Sequence, residues 1–256
     1  MTDCRSVAIP LAANEKFRKD DGEKKVNSSL YRSLIGSLLY FTSTRLDIMF
    51  AASLLSRFMQ EPSQVHFGAA KRVLRYLQGT MDYGILYKIG GNLNLIGYSD
   101  SDWAGSIDDM KSTSGYAFLF GSSICSWLSK KQSVVAQSTA EAEYVSASKA
   151  TSQAIWLRRI FEDIGEKQKK TVLYCDNKSA IAIAKNPVSH ERSKHIFIKY
   201  HSIREAQEKG EIQLHFVRQE NNLLTSSPKH FLEKNCSIFE NALELSSKCI
   251  MGECWN

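Results

Sequence analysis

The chain has 256 residues, 43% hydrophobic and 23% charged, with a formal net charge of +6. Those proportions exclude a disordered or collagen-like chain, and the length suffices for a full core or two small domains. No run approaches the roughly 18 to 20 apolar residues of a membrane span, and Asp3, Arg5 and Pro10 break any signal-peptide layout, so the expectation is a soluble intracellular protein, cytoplasmic or nuclear, with no membrane partner. Cys4, Cys125, Cys175, Cys236, Cys249 and Cys254 include no CxxC pair and read as free thiols, not as a zinc site or a disulfide framework.

Residues 1–28 are polar, with mixed charge from Glu15 to Lys25, and read as a linker. Residues 29–82 read as a small helical region. Leu30, Leu34, Leu38 and Leu39 repeat near the helical period, as do Met49, Ala52, Leu54, Leu55 and Phe58. Pro62 and Ser63 cap a third helix, on which Phe67, Ala70, Val73, Leu74 and Leu77 form an apolar stripe ended by Gly79. Lys71, Arg72 and Arg75 lie off that stripe, as a solvated basic face or a surface that tracks phosphates.

Past Gly79 the period becomes extended. Tyr83 to Lys88, Leu93 to Tyr98, Gly115 to Leu119 and Ile124 to Leu128 read as strands, and Ser133 to Gln137 completes a meander. Thr139 opens a long helix through Trp156 and Phe161, ended by Gly165. Thr171 to Cys175 is a strand, Lys178 to Lys185 a helix stopped by Pro187, His195 to Lys209 a helix stopped by Gly210, and Ile212 to Val217 a last strand. The order predicts an α/β fold, with helices flanking a mixed sheet.

Isolated acids fall at telling places in that layout. Asp100 and Asp176 follow two of the strands, and Glu143 lies in the first turns of the long helix. Carboxylates at the C-terminal ends of neighbouring strands converge on the crevice where α/β sheets bind ligands. Such a cluster needs a divalent cation to neutralise it, and oxygen donors select Mg²⁺ or Mn²⁺. Each acid alone also has a bland reading, since an Asp after a strand forms turns or caps helices and a Glu in a first turn complements the helix dipole. Histidines 190, 195 and 201 are spaced by five and six residues, which does not stack them on one helical face as zinc ligands. Trp103, Trp127 and Trp156 read as core residues, with Trp103 the best candidate for stacking on a base.

The lettering around the acids decides between these readings. GYSDSDWAGSIDDMKSTSGYAFLF (97–120), SWLSKKQSVVAQSTAEAEYVSAS (126–148), YCDNKSAIAIAKNP (174–187) and HERSKHIFIKYHSIRE (190–205) resemble the C-terminal ribonuclease H segment of copia-type retrotransposon Pol polyproteins. SLYRSLIGSLLYFTSTRLDIMFAASLLSRFM (29–59) resembles the region connecting the reverse transcriptase to that segment, and the likeness runs in unbroken order over about residues 1–223. The resemblance implies a ribonuclease H-like domain over residues 83–223, preceded by the helical connection. It places the catalytic and metal-binding carboxylates at Asp100, Glu143 and Asp176, with Asp102 the alternative at the first position and Glu141 at the second. It further implies cleavage of the RNA strand of an RNA/DNA hybrid with two Mg²⁺ or Mn²⁺ ions about 4 Å apart. In that arrangement Asp100 bridges both ions, and Glu143 and Asp176 complete the shell of the second. The substrate is recognised by groove shape and 2′-OH groups, and Lys130, Lys131 and Lys149 are phosphate contacts or solvated charges.

Two departures stand against the family pattern. The motif A-D-I-F-T-K, which brings the fourth carboxylate, is replaced after HFVRQENNL (215–223) by LTSSPKH (224–230). Codons CTG ACA TCT TCA CCA AAG CAC for Leu224 to His230, after a Leu223 codon ending in G, read one base earlier as A-D-I-F-T-K-A. Residues 224–256 are therefore expected to be an out-of-frame tail behind a single-base deletion. Activity is then expected to be severely reduced or absent, leaving as the alternative a catalytically dead remnant that at most binds nucleic acid or protein. No aspartate pair in a polymerase-like context precedes residue 100, and Leu46 stands where the family's R-P-D-I has proline.

Overall fold

A computed structural model describes residues 4–12, 15–85, 87, 93–121, 123–185 and 202–218. The chain forms two compact units. One holds residues up to Leu86 with Ser106–Asp108, and the other holds Tyr87–Gly105 and Asp109–Ser226.

The first unit is helical, with α1 (Ser28–Phe41), α2 (Met49–Leu55) and α3 (Gln64–Gln78). The Asn27 side chain caps α1, accepting from the N–H groups of Ser29 and Leu30. Tyr31, Ile35 and Leu38, spaced by four and three, face the core. The buried face of α3 is His66, Ala69, Ala70, Val73 and Tyr76, with Phe67, Leu74 and Leu77 only partly buried at its margin. The face differs from the stripe expected because its two polar members have partners. His66 Nδ1 accepts the Ser63 N–H at 3.0 Å while the ring stacks on Phe58 at 4.0 Å. Tyr76 donates its hydroxyl to Asp47 at 2.8 Å, and Asp47 holds Arg45 in a buried ion pair at 2.6 Å. On the same helix, Arg75 Nε donates to the Arg5 carbonyl at 2.8 Å and Lys71 lies over the Phe67 ring.

The second unit is a five-stranded mixed sheet ordered β3-β2-β1-β4-β5. Its strands are β1 (Leu95–Ser101), β2 (Thr113–Phe120), β3 (Ser123–Lys131), β4 (Thr171–Cys175) and β5 (Ile212–Phe216). The first three pair antiparallel, as a meander with short connections does, and β4 and β5 join in parallel through helical crossovers. Those helices are α4 (Thr139–Asp163), α5 (Lys178–Lys185) and α6 (Ser202–Glu208). This is the α/β layout expected from the sequence, a mixed sheet with flanking helices. Small residues along α4, among them Ala142, Ser146, Ala147 and Ala150, let it lie close on the sheet, where Phe118, Tyr144, Val145 and Leu173 are fully buried.

Several expectations are corrected. Ser133 to Gln137 forms no strand, because it turns the chain from β3 into α4. Residues 83–85 and 87 form none either, and the rest of the strand expected over Tyr83 to Lys88 lies outside the described residues. Of the helix expected over His195 to Lys209, the described part is Ser202–Glu208. Trp103 and Trp156 are 54% and 55% exposed instead of in the core, and Trp127 is half-buried. The histidines at 190, 195 and 201, together with residues 224–256, lie outside the described residues. Among the described residues, no helix is long and apolar enough to cross a membrane.

The tightest approach in the sheet is at Gly97, where a Cβ would stand 2.5 Å from Phe118 Cε1 and 2.8 Å from Leu173 Cδ1. Both neighbours are fully buried and have nowhere to retreat. Gly97→Ala is expected to cost about 1–3 kcal/mol by overpacking, read as a lower urea midpoint. An unchanged midpoint would mean that this side of the sheet is loosely packed.

Candidate metal centre

Strand pairing brings the acids together. β1 and β4 run parallel with Ser99 beside Cys175, so the next residues, Asp100 and Asp176, stand side by side where both strands end. Asp100 is the penultimate residue of β1 and Asp176 follows β4 directly. Glu143 comes to the same place from the first turns of α4, and its Oε1 accepts the Ser101 N–H at 2.7 Å. Ser146, one turn further along α4, fixes the helix to the strands by donating to the carbonyls of Asp100 at 2.7 Å and Gly115 at 3.2 Å.

Asp100 and Glu143 are 5% and 4% exposed, and Asp176 is half-buried. Burial raises the pKa of Asp100 above the usual carboxylate range, and the neighbouring charge of Asp176 adds to it. Glu143 is raised by burial and then by Asp100 and Asp176. Burial also raises Asp176. Three carboxyls that resist ionising together are what a divalent cation would neutralise, and their oxygen donors fit a hard cation such as Mg²⁺ or Mn²⁺.

One neighbour was not anticipated. Ligand atoms of Glu143, Cys175 and Asp176 lie within 4.8 Å of one another. The Cys175 thiol is 3.7 Å from Glu143 Oε2, and burial followed by the Glu143 charge pushes its pKa up, so it stands as a weak S–H donor to that oxygen. The sequence signal was its place in YCDN, directly before Asp176, which a search for CxxC pairs passes over.

The alternative acids have other partners. Asp102 accepts the Thr113 N–H through Oδ1 and donates its own N–H to the Thr113 carbonyl, closing the β1–β2 connection. Gly105 lies so near that carboxylate that any Cβ there would collide with it. Glu141 Oε2 accepts the Gln137 N–H at 2.8 Å, tying down the turn before α4, whose N-cap is Ser138. After β4, Asn177 caps α5 by accepting the Ala180 N–H at 3.0 Å. Among the candidate phosphate contacts, Lys131 pairs with Asp109 at 2.7 Å, Lys130 is exposed and Lys149 is half-buried.

The chain resembles several known proteins. The chain is 40% identical over 230 residues to the retrovirus-related Pol polyprotein from transposon RE2 of Arabidopsis thaliana, a match covering 90% of this chain and 16% of that polyprotein. A stretch of 128 residues, 50% of the chain, is 46% identical to the secreted RxLR effector protein 161 of Plasmopara viticola and covers 90% of it. A solved ribonuclease H1 isolated from compost matches 60% of this chain and 99% of its own, with a TM-score of 0.38 and 12% identity. No profile of a known protein family matches the chain.

The raised carboxyls set a pH dependence. A carboxyl whose pKa rises on folding holds its proton more tightly in the folded chain, so its contribution to stability is fully present below about pH 4 and is lost as pH climbs through the raised value. Without a divalent cation, stability is expected to fall from weakly acidic to neutral pH. Asp100→Asn should flatten that fall and raise stability at neutral pH by about 1 kcal/mol or more. Urea midpoints in chelator between about pH 5 and about pH 8 measure it, and an identical slope in the variant would show that Asp100 is not desolvated.

Proposed function

Because the chain belongs to the retrovirus-related Pol polyproteins of copia-type transposons, we propose that its second unit is their ribonuclease H domain, directed at the RNA strand of RNA/DNA hybrids and impaired by a lost carboxylate. The observation that carries this reading is the convergence of Asp100, Glu143 and Asp176 where β1, β4 and the start of α4 meet. The chain spans 16% of the length of the polyprotein it matches, so the reading concerns this segment alone. Residues 83–223 would make up the domain and 29–82 the connection from the reverse transcriptase.

Asp100, Glu143 and Asp176 would hold two Mg²⁺ or Mn²⁺ ions, which supply Lewis-acid polarisation of a phosphate oxygen and a water of lowered pKa. The protein's share is to pre-place the ligands. Ser101 N–H fixes one oxygen of Glu143, Ser146 pins the Asp100 backbone to α4, and parallel pairing sets Asp100 beside Asp176. Donors fixed before substrate arrives cost no reorganisation during reaction. The hybrid would be recognised by backbone shape and 2′-OH groups, with exposed Lys130 on β3 a candidate phosphate contact.

The impairment rests on LTSSPKH (224–230), which stands where the family carries its fourth acid. Ligands that act as a unit lose orders of magnitude of rate when one is removed. The absent motif equally favours a second reading, a catalytically dead fold that at most binds nucleic acid or protein.

The test is cleavage of a labelled RNA/DNA hybrid by the 256-residue chain in Mg²⁺ and in Mn²⁺. The expected result is hybrid-specific cleavage of the RNA strand, weak in both ions, reduced a further ~100-fold or more by Asp100→Asn. Restoring A-D-I-F-T-K after Leu223 should raise the rate by a similar factor. Vigorous turnover by the unmodified chain would overturn the impairment. Salt-sensitive hybrid binding unaffected by Asp100→Asn, with no cleavage even after the motif is restored, would favour the second reading.

A further inference from the structure

Gln132 follows β3 and is 2% exposed, with its N–H bonded to the Ser112 carbonyl at 2.7 Å. Its side-chain nitrogen lies 3.0 Å from the Ala142 carbonyl oxygen, 2.9 Å from Ser114 Oγ and 3.1 Å from Ser101 Oγ. Those partners belong to the first turns of α4, the start of β2 and the end of β1, the elements that border the carboxylates. Ala142 is the residue before Glu143. Ser101 is the residue after Asp100, and its N–H holds Glu143 Oε1. One buried amide is thus joined to the peptide that carries Glu143 and to the residue that receives its carboxylate.

The other end of the same amide points to the purpose. Gln132 Oε1 is buried and has no hydrogen-bond partner. Buried polar atoms are rarely left so, because the loss of water is uncompensated. Turning the amide over would satisfy nothing at Ala142, since it would set oxygen against a carbonyl oxygen, acceptor against acceptor. The Ser114 hydroxyl can donate or accept and would tolerate either orientation, whereas the Ser101 hydroxyl already donates to the Asp102 and Thr113 carbonyls and is placed to accept from the amide. The Ala142 carbonyl therefore fixes which way the amide faces, and the orphaned oxygen is the consequence.

We propose that Gln132 is a positioning residue that sets the placement of Glu143 against the end of β1, acting through the Ala142 carbonyl. Its consequence for cation binding rests on the ribonuclease H reading, whereas the placement itself does not. A donor behind a ligand-bearing residue changes metal affinity by about 10- to 100-fold in sites of this kind, because small rotations of the helix turn misplace the ligand oxygens.

The experiment uses the full chain and two readouts. Hydrogen exchange of the Ser101 amide, followed by NMR, reports its bond to Glu143 without any cation, with the Leu173 amide in the centre of β4 as the reference. Mn²⁺ binding, followed by electron paramagnetic resonance, reports the ligand set. Q132M keeps the volume and loses every side-chain polar contact. Q132E can accept from the Ser114 hydroxyl but cannot donate to Ala142, and it carries the comparison should Q132M fail to fold. In either variant Ser101 exchange is expected to quicken about tenfold relative to Leu173, and Mn²⁺ binding to weaken at least about tenfold. S114A leaves the Ala142 contact in place and is expected to leave both readouts within about twofold of the parent. Ser101 exchange unchanged in Q132M and Q132E, or quickened equally in S114A, would overturn the proposal. If the parent binds no Mn²⁺ while Ser101 still responds to Q132E, the ribonuclease H reading fails and the positioning role stands.

Discussion

Parallel pairing of β1 with β4 is the constraint on which the second unit turns, because it decides which residues share an end of the sheet. With Ser99 beside Cys175, Asp100 and Asp176 leave their strands together. Had these strands run antiparallel, the same two acids would stand at opposite ends and no cluster would exist. Parallel neighbours need a crossover, and the crossover is α4. Its first turns must then pass over the point where the acids emerge, which is how Glu143 arrives there. The cost is the burial of like charges, and it is offset by the contacts of Phe118, Tyr144, Val145 and Leu173 beneath.

A division of labour repeats around this cluster. Each acid has a polar neighbour one or two residues away that takes the ordinary local role. Asp102 closes the connection after β1, Glu141 anchors the turn before α4, and Asn177 caps α5. Turn closing and capping need an oxygen aimed at nearby backbone N–H groups, so a side chain engaged in them points along its own chain. Asp100 is left to hydrogen-bond with Glu143 and to feel the charge of Asp176. Glu143 is the intermediate case, since its one backbone bond crosses to β1 instead of serving its own helix.

The sheet and its helices were legible because their signals are local. Alternation marked the strands, Gly79 and Gly165 marked stops, and Ser63 marked a cap. Where the reading failed, distant partners decided. His66 and Tyr76 displaced the expected stripe of α3 because Ser63, Phe58 and Asp47 satisfy them, and nothing within the helix announces those contacts. Ser133 to Gln137 has strand-like residues but is spent on the turn that takes the chain from β3 into α4. Trp156 read as core yet is 55% exposed, whereas Trp103, the one singled out for stacking on a base, is exposed with its indole N–H bonded to the Ala136 carbonyl. At the centre, the placing of the three acids was legible from motif letters, and their part in a metal site is the reading proposed. Cys175 and Gln132 were not, because one belongs by strand geometry and the other by an amide that spans three elements.

Carboxylates that resist ionisation are a burden on a chain that has no cation to bind. Any one of Asp100, Glu143 or Asp176 could become an amide and relieve both burial and repulsion, at no loss of volume. Gly105, which makes room for Asp102, and the orphaned oxygen of Gln132 are further costs with the same address. A sequence drifting under folding stability alone has easy escapes from each, because relieving such costs is among the commonest routes to a more stable protein. All remain. Under the reading proposed for this chain, a lost reading frame after Leu223 would then be recent relative to that drift, having removed one ligand while the apparatus that places the other three still stands.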